Sequence, residues 1–250
     1  MSRDSSMAGR GSRHRRWLLW TLIPIVVVVV ASFVWRDEIE RQLFKSKHSE
    51  NNLRNIGLAI THFAVDEKNY PGDIFDPKGK PLLIWRVTIL PYMNRDGLYE
   101  RFKIDEPWDS EHNKGLLKEM PEVFVSPFSD LTDEGKTVYL RPVGRGFVFD
   151  QHKSKGLRDL SDGASYTIIA LEATDACAVP WTKPEDLTVD LDSPLAGLGV
   201  ESRESFAVVF ADGRVIQLKT NTKPDVWFQL MIGDHRVSSP VVLDDRDFAN

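Results

Sequence analysis

The chain has 250 residues, of which 28% are charged, and a formal net charge of −5. This length allows one substantial domain with accessory segments. The charge is uneven, because five arginines and one aspartate give residues 1–16 a charge of +4, which leaves −9 on the rest of the chain. An acidic body argues against nucleic-acid binding, and the single cysteine, Cys177, excludes an intrachain disulfide.

Residues 17–35, WLLWTLIPIVVVVVASFVW, form an uncharged run of 19 residues. As a helix this run would be about 28 Å long, which is close to the hydrocarbon thickness of a bilayer. Trp17, Trp20 and Trp35 lie near its ends, where aromatic rings favour the membrane interface. The run therefore predicts a transmembrane helix, through which the protein would bind the lipid bilayer.

Basic residues lie directly before this run, and the positive-inside rule places such a segment in the cytoplasm. The sequence thus predicts a cytoplasmic head at residues 1–16 and an exported body after the span. The alternative is a signal peptide whose cleavage gives a secreted protein. Its apolar region would normally be about 7–15 residues long and end in a small-x-small cleavage site. Val29-x-Ala31 is a poor match to that site.

A second helical stretch is predicted from residue 36 to residue 66, and it can continue the membrane helix directly. Apolar residues recur there at spacings of three, four and seven, which is typical of an amphipathic helix. The sequence NYPG at 69–72 ends the helix, because proline and glycine disfavour it. The apolar positions are Ile39, Leu43, Leu53, Ile56, Ile60 and Phe63.

Short β elements are predicted after this helix. Alternating residues predict strands at 122–127, 137–143, 145–150 and 166–173. The apolar run at 82–93 is compatible with either a strand or a short helix, because periodicity does not separate the two.

The clearest local pattern is SFAVVFADGRVIQLK at 205–219, in which two alternating runs are joined through Asp212-Gly213. Asp-Gly readily adopts the positive-φ conformations of a tight hairpin. The segment 223–234, KPDVWFQLMIGD, predicts a short terminal helix.

The order of these elements predicts an α+β fold. A long helix followed by several strands is typical of a helix packed on a mainly antiparallel sheet, not of an alternating α/β core. We assign residues 36–236 to this domain and residues 237–250 to a flexible polar tail.

Six stretches, in this order, resemble a large bacterial family of unknown function, whose members are often labelled prepilin-type with an H-x9-D-G motif. The resemblance implies a pilin-like fold, in which a membrane helix continues into a helix packed on an antiparallel sheet. It also implies a bacterial inner-membrane location with a periplasmic domain, and partners of the secretion or pilus-assembly type. The stretches are NNLRNIGLAI (51–60), WRVTILPYM (85–93), LYERFKIDEPWDSEHN (98–113), LSDGASYTIIALEA (160–173), VPWTKPEDL (179–187) and FAVVFADGRV (206–215).

The chain departs from the family pattern in three places. Ser202 stands where the motif has histidine, ten residues before Asp212-Gly213. Ser126-Pro-Phe stands where the family has Cys-Pro-Ser. The prepilin processing site is absent, and no glutamate lies within residues 17–35. These departures favour a permanent single-pass anchor over assembly into a filament.

The first acidic loop, DEPWDSEHN at 105–113, contains the candidate binding residues Trp108, Asp109 and His112. A calcium loop needs glycine at its sixth position, whereas Gly115 is seventh from Asp109. The favoured interpretation is a turn fixed by proline, with Trp108 as a lid and Asp109 as the N-cap of a helix at 113–120. The alternative is a recognition surface.

The second acidic loop, VPWTKPEDL at 179–187, contains Trp181, Glu185 and Asp186. The two acids are candidates for general acid–base chemistry. Adjacent side chains usually point apart, however, and proline followed by acids is typical of the start of a helical turn. A structural role is therefore favoured over sugar or peptide binding through Trp181, and catalysis is the least favoured.

The sequence predicts no metal site and no cofactor. The six histidines do not occur at metal-ligand spacing, and one cysteine cannot build a structural zinc site. We predict a non-enzymatic envelope scaffold or interaction protein related to pseudopilins. The alternatives are an anchored receptor for sugars or peptides that uses Trp108 and Trp181 and, least favoured, a hydrolase. A receptor requires both tryptophans exposed in one concavity, and a hydrolase requires two carboxylates facing each other about 5–10 Å apart.

Overall fold

The computed structural model describes residues 11–144, 147–150, 153–154, 156–160, 163–190, 193, 196–198 and 205–232. The predicted tail at 237–250 lies outside this part of the chain. Side chains are not described at residues 11–26, Val29, Asp150, Lys153, Ser154 and Leu157. The chain divides into two compact units, Met1–Lys45 and Ser46–Asn250.

The described helices and strands follow one another as separate short elements after one long helix. The α-helices are α1 (Gly11–Glu67), α2 (Trp85–Thr88), α3 (Asp96–Tyr99), α4 (Glu111–Gly115) and α5 (Pro224–Ile232). The strands are β1 (Ile74–Phe75), β2 (Pro81–Leu83), β3 (Lys136–Thr137), β4 (Tyr139–Leu140), β5 (Pro142–Val143), β6 (Phe149–Asp150), β7 (Lys153–Ser154), β8 (Ile168–Glu172), β9 (Val179–Pro180), β10 (Leu187–Thr188), β11 (Ser205–Phe210) and β12 (Val215–Lys219). The 3-10 helices are Pro91–Met93, Leu116–Glu119, Glu122–Phe124, Thr132–Glu134, Leu157–Asp159, Ala164–Tyr166 and Asp175–Cys177.

The first unit is helical from Gly11 onward. Two ion pairs on its exposed surface, Arg36 with Glu40 at 3.1 Å and Arg41 with Glu38 at 2.9 Å, have helical i,i+4 and i,i+3 spacing. Within the described residues, we find no helix with enough length and apolar character to span a membrane. The predicted span at 17–35 lies partly outside the residues whose side chains are described.

The second unit is built around a four-stranded antiparallel sheet with the order β12-β11-β8-β4. Alternate side chains of β11 enter two different clusters. Ala207 and Val209 join the cluster that contains Leu53, Ile56 and Ile60 of α1. In the other cluster, Phe206, Val208 and Phe210 pack with Trp227 and Leu230 of α5. The sheet therefore has α1 on one face and α5 on the other.

Gly57 allows α1 to lie directly against β11. A Cβ atom at this position would lie 2.4 Å from Cγ2 of Val209, which is much closer than two carbon atoms approach without strain. Glycine at residue 57 is thus required by the close approach of the helix to the sheet.

The structure confirms the α+β class with a long N-terminal helix and small antiparallel sheets. The second four-stranded sheet, with the order β10-β5-β6-β7, departs from the expected antiparallel pairing. The β10–β5 and β5–β6 pairs are parallel, and only β6–β7 is antiparallel. Each of these parallel pairings involves at most two residues of each strand.

One strand prediction was wrong. The strand predicted at 122–127 is instead a 3-10 helix, Glu122–Phe124. Proline at 121 and at 127 lacks the backbone N–H that a ladder needs. The hairpin predicted at Asp212-Gly213 is confirmed, and Gly213 supplies its positive φ of +84°. The turn is a type I turn followed by left-handed glycine, in which the Gly213 N–H donates to Phe210 O at 2.8 Å.

Candidate functional site

The first acidic loop is held closed by the buried side chain of Asn113. Its Nδ2 donates to three carbonyl oxygens, of Lys103 at 2.9 Å, Glu106 at 3.1 Å and Pro107 at 3.2 Å. Its Oδ1 accepts from the Lys103 N–H at 3.0 Å. One amide thus closes the loop at both ends, which assigns a structural role to Asn113.

Ser110, and not Asp109, caps the helix that follows this loop. The Ser110 Oγ accepts from the Asn113 N–H at 3.1 Å, and α4 begins at Glu111. The predicted helix at 113–120 therefore starts two residues earlier and continues as a 3-10 helix from Leu116. Serine and aspartate are equally favoured N-caps, so sequence preference does not distinguish them.

The other two candidate residues of this loop lie at the surface and do not form a group of catalytic or metal-binding side chains. Asp109 and His112 are exposed. The His112 Nε2 lies 2.8 Å from the Arg101 carbonyl oxygen. Within the described part of the chain, no group of three or more His, Cys, Asp or Glu side chains is arranged to hold a metal ion.

Trp108 connects the two acidic loops. It is half-buried, and its backbone N–H donates to Leu82 O at 2.8 Å. The Lys183 Nζ of the second acidic loop lies 5.9 Å from the centroid of its ring, within the range of a cation–π contact.

Trp181 is fully buried, which contradicts the receptor alternative. Its ring packs edge-on against Phe102, with centroids 5.7 Å apart, and stacks on Phe124 at 6.0 Å. Its Nε1 donates to Leu117 O at 3.1 Å. Because the ring has no exposed surface, Trp108 and Trp181 do not form one exposed concavity for a sugar or a peptide.

Asp186 lies at the centre of a buried ion-pair cluster with Arg86 and Arg141. The Arg86 Nη1 donates to Asp186 Oδ1 at 3.0 Å, and the Arg141 Nε donates to Oδ2 at 2.8 Å. The Trp85 Nε1 adds a third donor, 3.0 Å from Oδ2. Both carboxylate oxygens are therefore occupied by the protein itself.

The guanidinium of Arg86 is completely buried, and its five N–H groups have five acceptors. Besides Asp186, all of the acceptors are backbone carbonyls. They belong to Trp181 at 2.9 Å, Glu185 at 3.1 Å, Tyr139 at 3.4 Å and Lys183 at 3.4 Å. The side chain thus fixes the backbone of the second acidic loop.

Arg141 extends the cluster to the segment after α1. Its Nη1 donates to Pro71 O at 2.7 Å, and its Nη2 to Asp73 Oδ1 at 3.0 Å. Its guanidinium carbon also lies 5.1 Å from the Trp85 ring centroid and 4.5 Å from that of Phe149. The cluster contains two arginines and two aspartates, so its formal charges balance.

Burial has the largest influence on the pKa of two groups in this cluster, Asp73 and Arg86. It raises the pKa of the Asp73 carboxyl, and the charge of Arg141 opposes that rise. Burial likewise lowers the pKa of the Arg86 guanidinium, which the charge of Asp186 opposes. Arginine remains protonated in proteins, so the cluster is a set of charge-assisted hydrogen bonds that joins distant segments.

The two acids of the second acidic loop do not face each other across a cleft. Asp186 is enclosed by the arginines, whereas the side chain of Glu185 is half-exposed and forms an ion pair with Lys183. This arrangement contradicts the carboxylate pair that the hydrolase hypothesis requires.

Two of the three family-motif positions, Asp212 and Gly213, lie at the β11–β12 hairpin. Asp212 closes the turn, because its Oδ1 accepts from the Arg214 N–H at 3.0 Å and its Oδ2 from the Arg214 Nε at 2.7 Å. Burial raises the pKa of Asp212, but these hydrogen bonds outweigh it and the net pKa is lowered. Gly213 supplies the positive φ, and Ser202 lies outside the described residues.

A groove beside α1 contains residues that sequence reasoning missed. One part, of about 490 Å³, is lined by His48, Asn55 and His62 of α1 together with Tyr92 and Val123. The lining positions on α1 are three, four and seven residues apart, so they follow one face of the helix. This spacing was visible in the sequence, but the opposite wall comes from segments distant along the chain.

The comparisons with known proteins give one match. A family model described as a protein of unknown function (DUF1559) matches residues 47–137, which are 91 of the 250 residues. This segment is similar to that family and includes Arg86 and the first acidic loop, but not Asp186. No curated protein matches the chain. No solved structure matches it either.

Proposed function

We propose that this chain is a membrane-anchored, non-enzymatic interaction protein of the bacterial envelope. Residues 17–35 cross the inner membrane, with the N-terminus in the cytoplasm, and the domain that follows is periplasmic. The domain is related to pseudopilins and interacts with proteins of the secretion or pilus-assembly type.

The observation that carries the anchor is the exposed apolar surface of α1. Six large apolar side chains between residues 27 and 35 are 54–72% exposed. Such a surface is costly in water and favourable in lipid, because burying apolar area contributes about 25 cal/mol per Å². These side chains are Val27, Val28, Val30, Phe33, Val34 and Trp35.

The contacts of Asp186, Trp181 and Asn113 support a non-enzymatic role. Asp186 is occupied by two arginines, Trp181 is buried between two phenylalanines, and Asn113 closes its own loop. Side chains committed to such contacts contribute to the fold and are not available to a substrate. The pseudopilin relation is supported by the packing of the C-terminal part of α1 on an antiparallel sheet.

The anchor is tested by placing charges in the predicted span. We expect the double substitution Val28→Asp and Val30→Asp to release the full-length protein from carbonate-washed membranes, because a charge at the bilayer centre costs about 2.5–3.5 kcal/mol. The matched control is Ile39→Asp with Leu43→Asp, which changes two exposed apolar residues of the same helix beyond the span. This control should remain in the membrane pellet. Retention of the Val28/Val30 variant would show that the run is not an anchor.

A further inference from the structure

The groove beside α1 consists of two adjoining clefts. The first has a volume of about 490 Å³ and the second about 530 Å³. Both are lined by Asn94, Arg95, Pro121 and Glu122, so the two clefts are neighbours. The α1 wall extends over 15 residues of the helix, from His48 to His62, which corresponds to a length of about 21 Å.

The floor of the groove is buried and held in place. Asn52 is 7% exposed, and its Nδ2 donates to Val125 O at 2.9 Å and to the Tyr139 hydroxyl at 3.5 Å. Pro121 is buried, and Met93 and Val123 are half-buried beside it. The floor thus presents apolar groups together with one fixed amide.

The rim of the groove differs from the floor. Two exposed polar lining residues are engaged, since Glu119 forms an ion pair with Arg101 and His48 has an interaction of its own. The five other polar side chains of the rim are exposed, and within the described part of the chain none of them has an intramolecular hydrogen bond or ion pair. They include one guanidinium and one carboxylate, which carry opposite charges without forming a pair. An apolar floor with convergent polar groups is typical of a binding site. The rim side chains are Asn55, His62, Asn94, Arg95 and Glu122.

We propose that this groove binds an extended peptide segment of a partner protein, with an acidic residue opposite Arg95 and a basic residue opposite Glu122. The asparagine amides Asn55, on α1, and Asn94, after the 3-10 helix Pro91–Met93, both line the groove, and each combines a donor with an acceptor as the peptide group does. Met93 is flexible and polarizable, which suits varied apolar side chains. A wall of about 21 Å accommodates about six residues at 3.3 Å each.

This inference rests on the proposed interaction role, since it names the kind of partner. The balanced charge of Arg95 and Glu122 favours a peptide of mixed charge over an anionic polymer, which would need an excess of basic side chains. A neutral oligosaccharide is the other class of ligand that could occupy such a rim, and the experiment distinguishes it.

The probe is a phage-displayed library of random eight-residue peptides, selected against the full-length protein in mild detergent. We expect enriched peptides that carry an acid, and fluorescence anisotropy of synthetic versions should show at least a tenfold loss of affinity with Arg95→Glu. Replacing the peptide acid with lysine should recover binding to that variant. The matched control, Arg54→Glu, changes an exposed arginine of α1 outside the groove lining and should alter affinity less than twofold.

Three outcomes would overturn the proposal. The first is that no peptide is enriched from the library. The second is that enriched peptides bind the Arg95→Glu variant with unchanged affinity. The third is that peptides do not bind, whereas neutral oligosaccharides do and lose their binding with Asn55→Ala and Asn94→Ala. None of these depends on the membrane anchor, because the protein is in detergent. A negative result in the peptide experiment therefore refutes the groove proposal alone. The membrane-anchor proposal is tested separately by the carbonate wash.

Discussion

At the scale of single residues, the acidic loops show how a buried polar side chain determines a local structure. Asn113 and Arg86 each satisfy several backbone carbonyls, so both loops are closed by side-chain donors instead of a sheet ladder. Burying a polar group costs free energy unless the group is hydrogen-bonded. The buried side chain and the loop carbonyls that it contacts therefore each need the other as a partner.

The two loop tryptophans are predicted to contribute unequally to stability. Trp181→Ala should lower the free energy of unfolding by about 3–5 kcal/mol, because the ring is fully buried. Trp108→Ala, the matched control in the other loop, should cost less than half of that, because its ring is half-buried. Urea unfolding of the detergent-solubilised variants measures both values. A loss below about 0.5 kcal/mol for Trp181→Ala, the range of surface substitutions, would contradict its core role.

At the scale of elements, the packing of α1 on the sheet depends on one glycine. The helix stripe Leu53, Ile56 and Ile60 was evident from its periodicity, and the structure places it in the core. The alternation in β8, β11 and β12 likewise predicted the strands that form the central sheet. Neither pattern indicates how closely the two layers approach, because that distance depends on both surfaces together.

Gly57→Ala is predicted to destabilise the helix–sheet contact. The added Cβ would lie 2.4 Å from Val209 Cγ2, and overpacking of a core typically costs about 1–3 kcal/mol. The second substitution Val209→Ala, made in the Gly57→Ala background, should recover part of this loss by removing the clashing methyl. Thermal unfolding of the two single variants and the double variant measures this coupling.

A control glycine separates this clash from helix propensity. A Cβ at Gly115 in α4 would meet no atom within 4 Å, so Gly115→Ala should be neutral or slightly stabilising. If Gly57→Ala were as well tolerated as Gly115→Ala, the close approach of α1 to β11 would be refuted.

At the scale of the whole molecule, the second unit is held together by contacts between segments that are distant in sequence. The Arg86–Asp186 pair joins residues 100 positions apart, and Arg141 reaches Asp73 68 positions away. A buried pair of this kind destabilises the fold strongly when one partner is removed, because the other charge remains buried.

The segment similar to the known family is therefore predicted not to fold alone. A fragment of residues 47–137 keeps Arg86 but lacks Asp186, Trp181 and the strands β8, β11 and β12. We expect it to show no cooperative thermal transition by circular dichroism, whereas a fragment of residues 46–232 should show one. Cooperative unfolding of the shorter fragment would identify it as an independent domain.

Periodicity and turn chemistry by themselves determined the α+β class, the helical stripe before residue 67 and the β11–β12 hairpin. These features depend on neighbours within a few residues, which is the range over which sequence patterns act. The same range explains the errors, since Ser110 and Asp109 are equivalent as caps, and alternation at 122–127 did not account for its flanking prolines.

Only the tertiary structure decided the roles of Asp186, Trp181 and the groove. An adjacent pair of acids has the same sequence pattern whether it is solvated or buried, and only packing brought Arg86 and Arg141 to Asp186. The groove is likewise formed by α1 and by segments near residues 94 and 122. Desolvation and charge pairing depend on distance in space and not on distance along the chain, so these roles require the folded molecule.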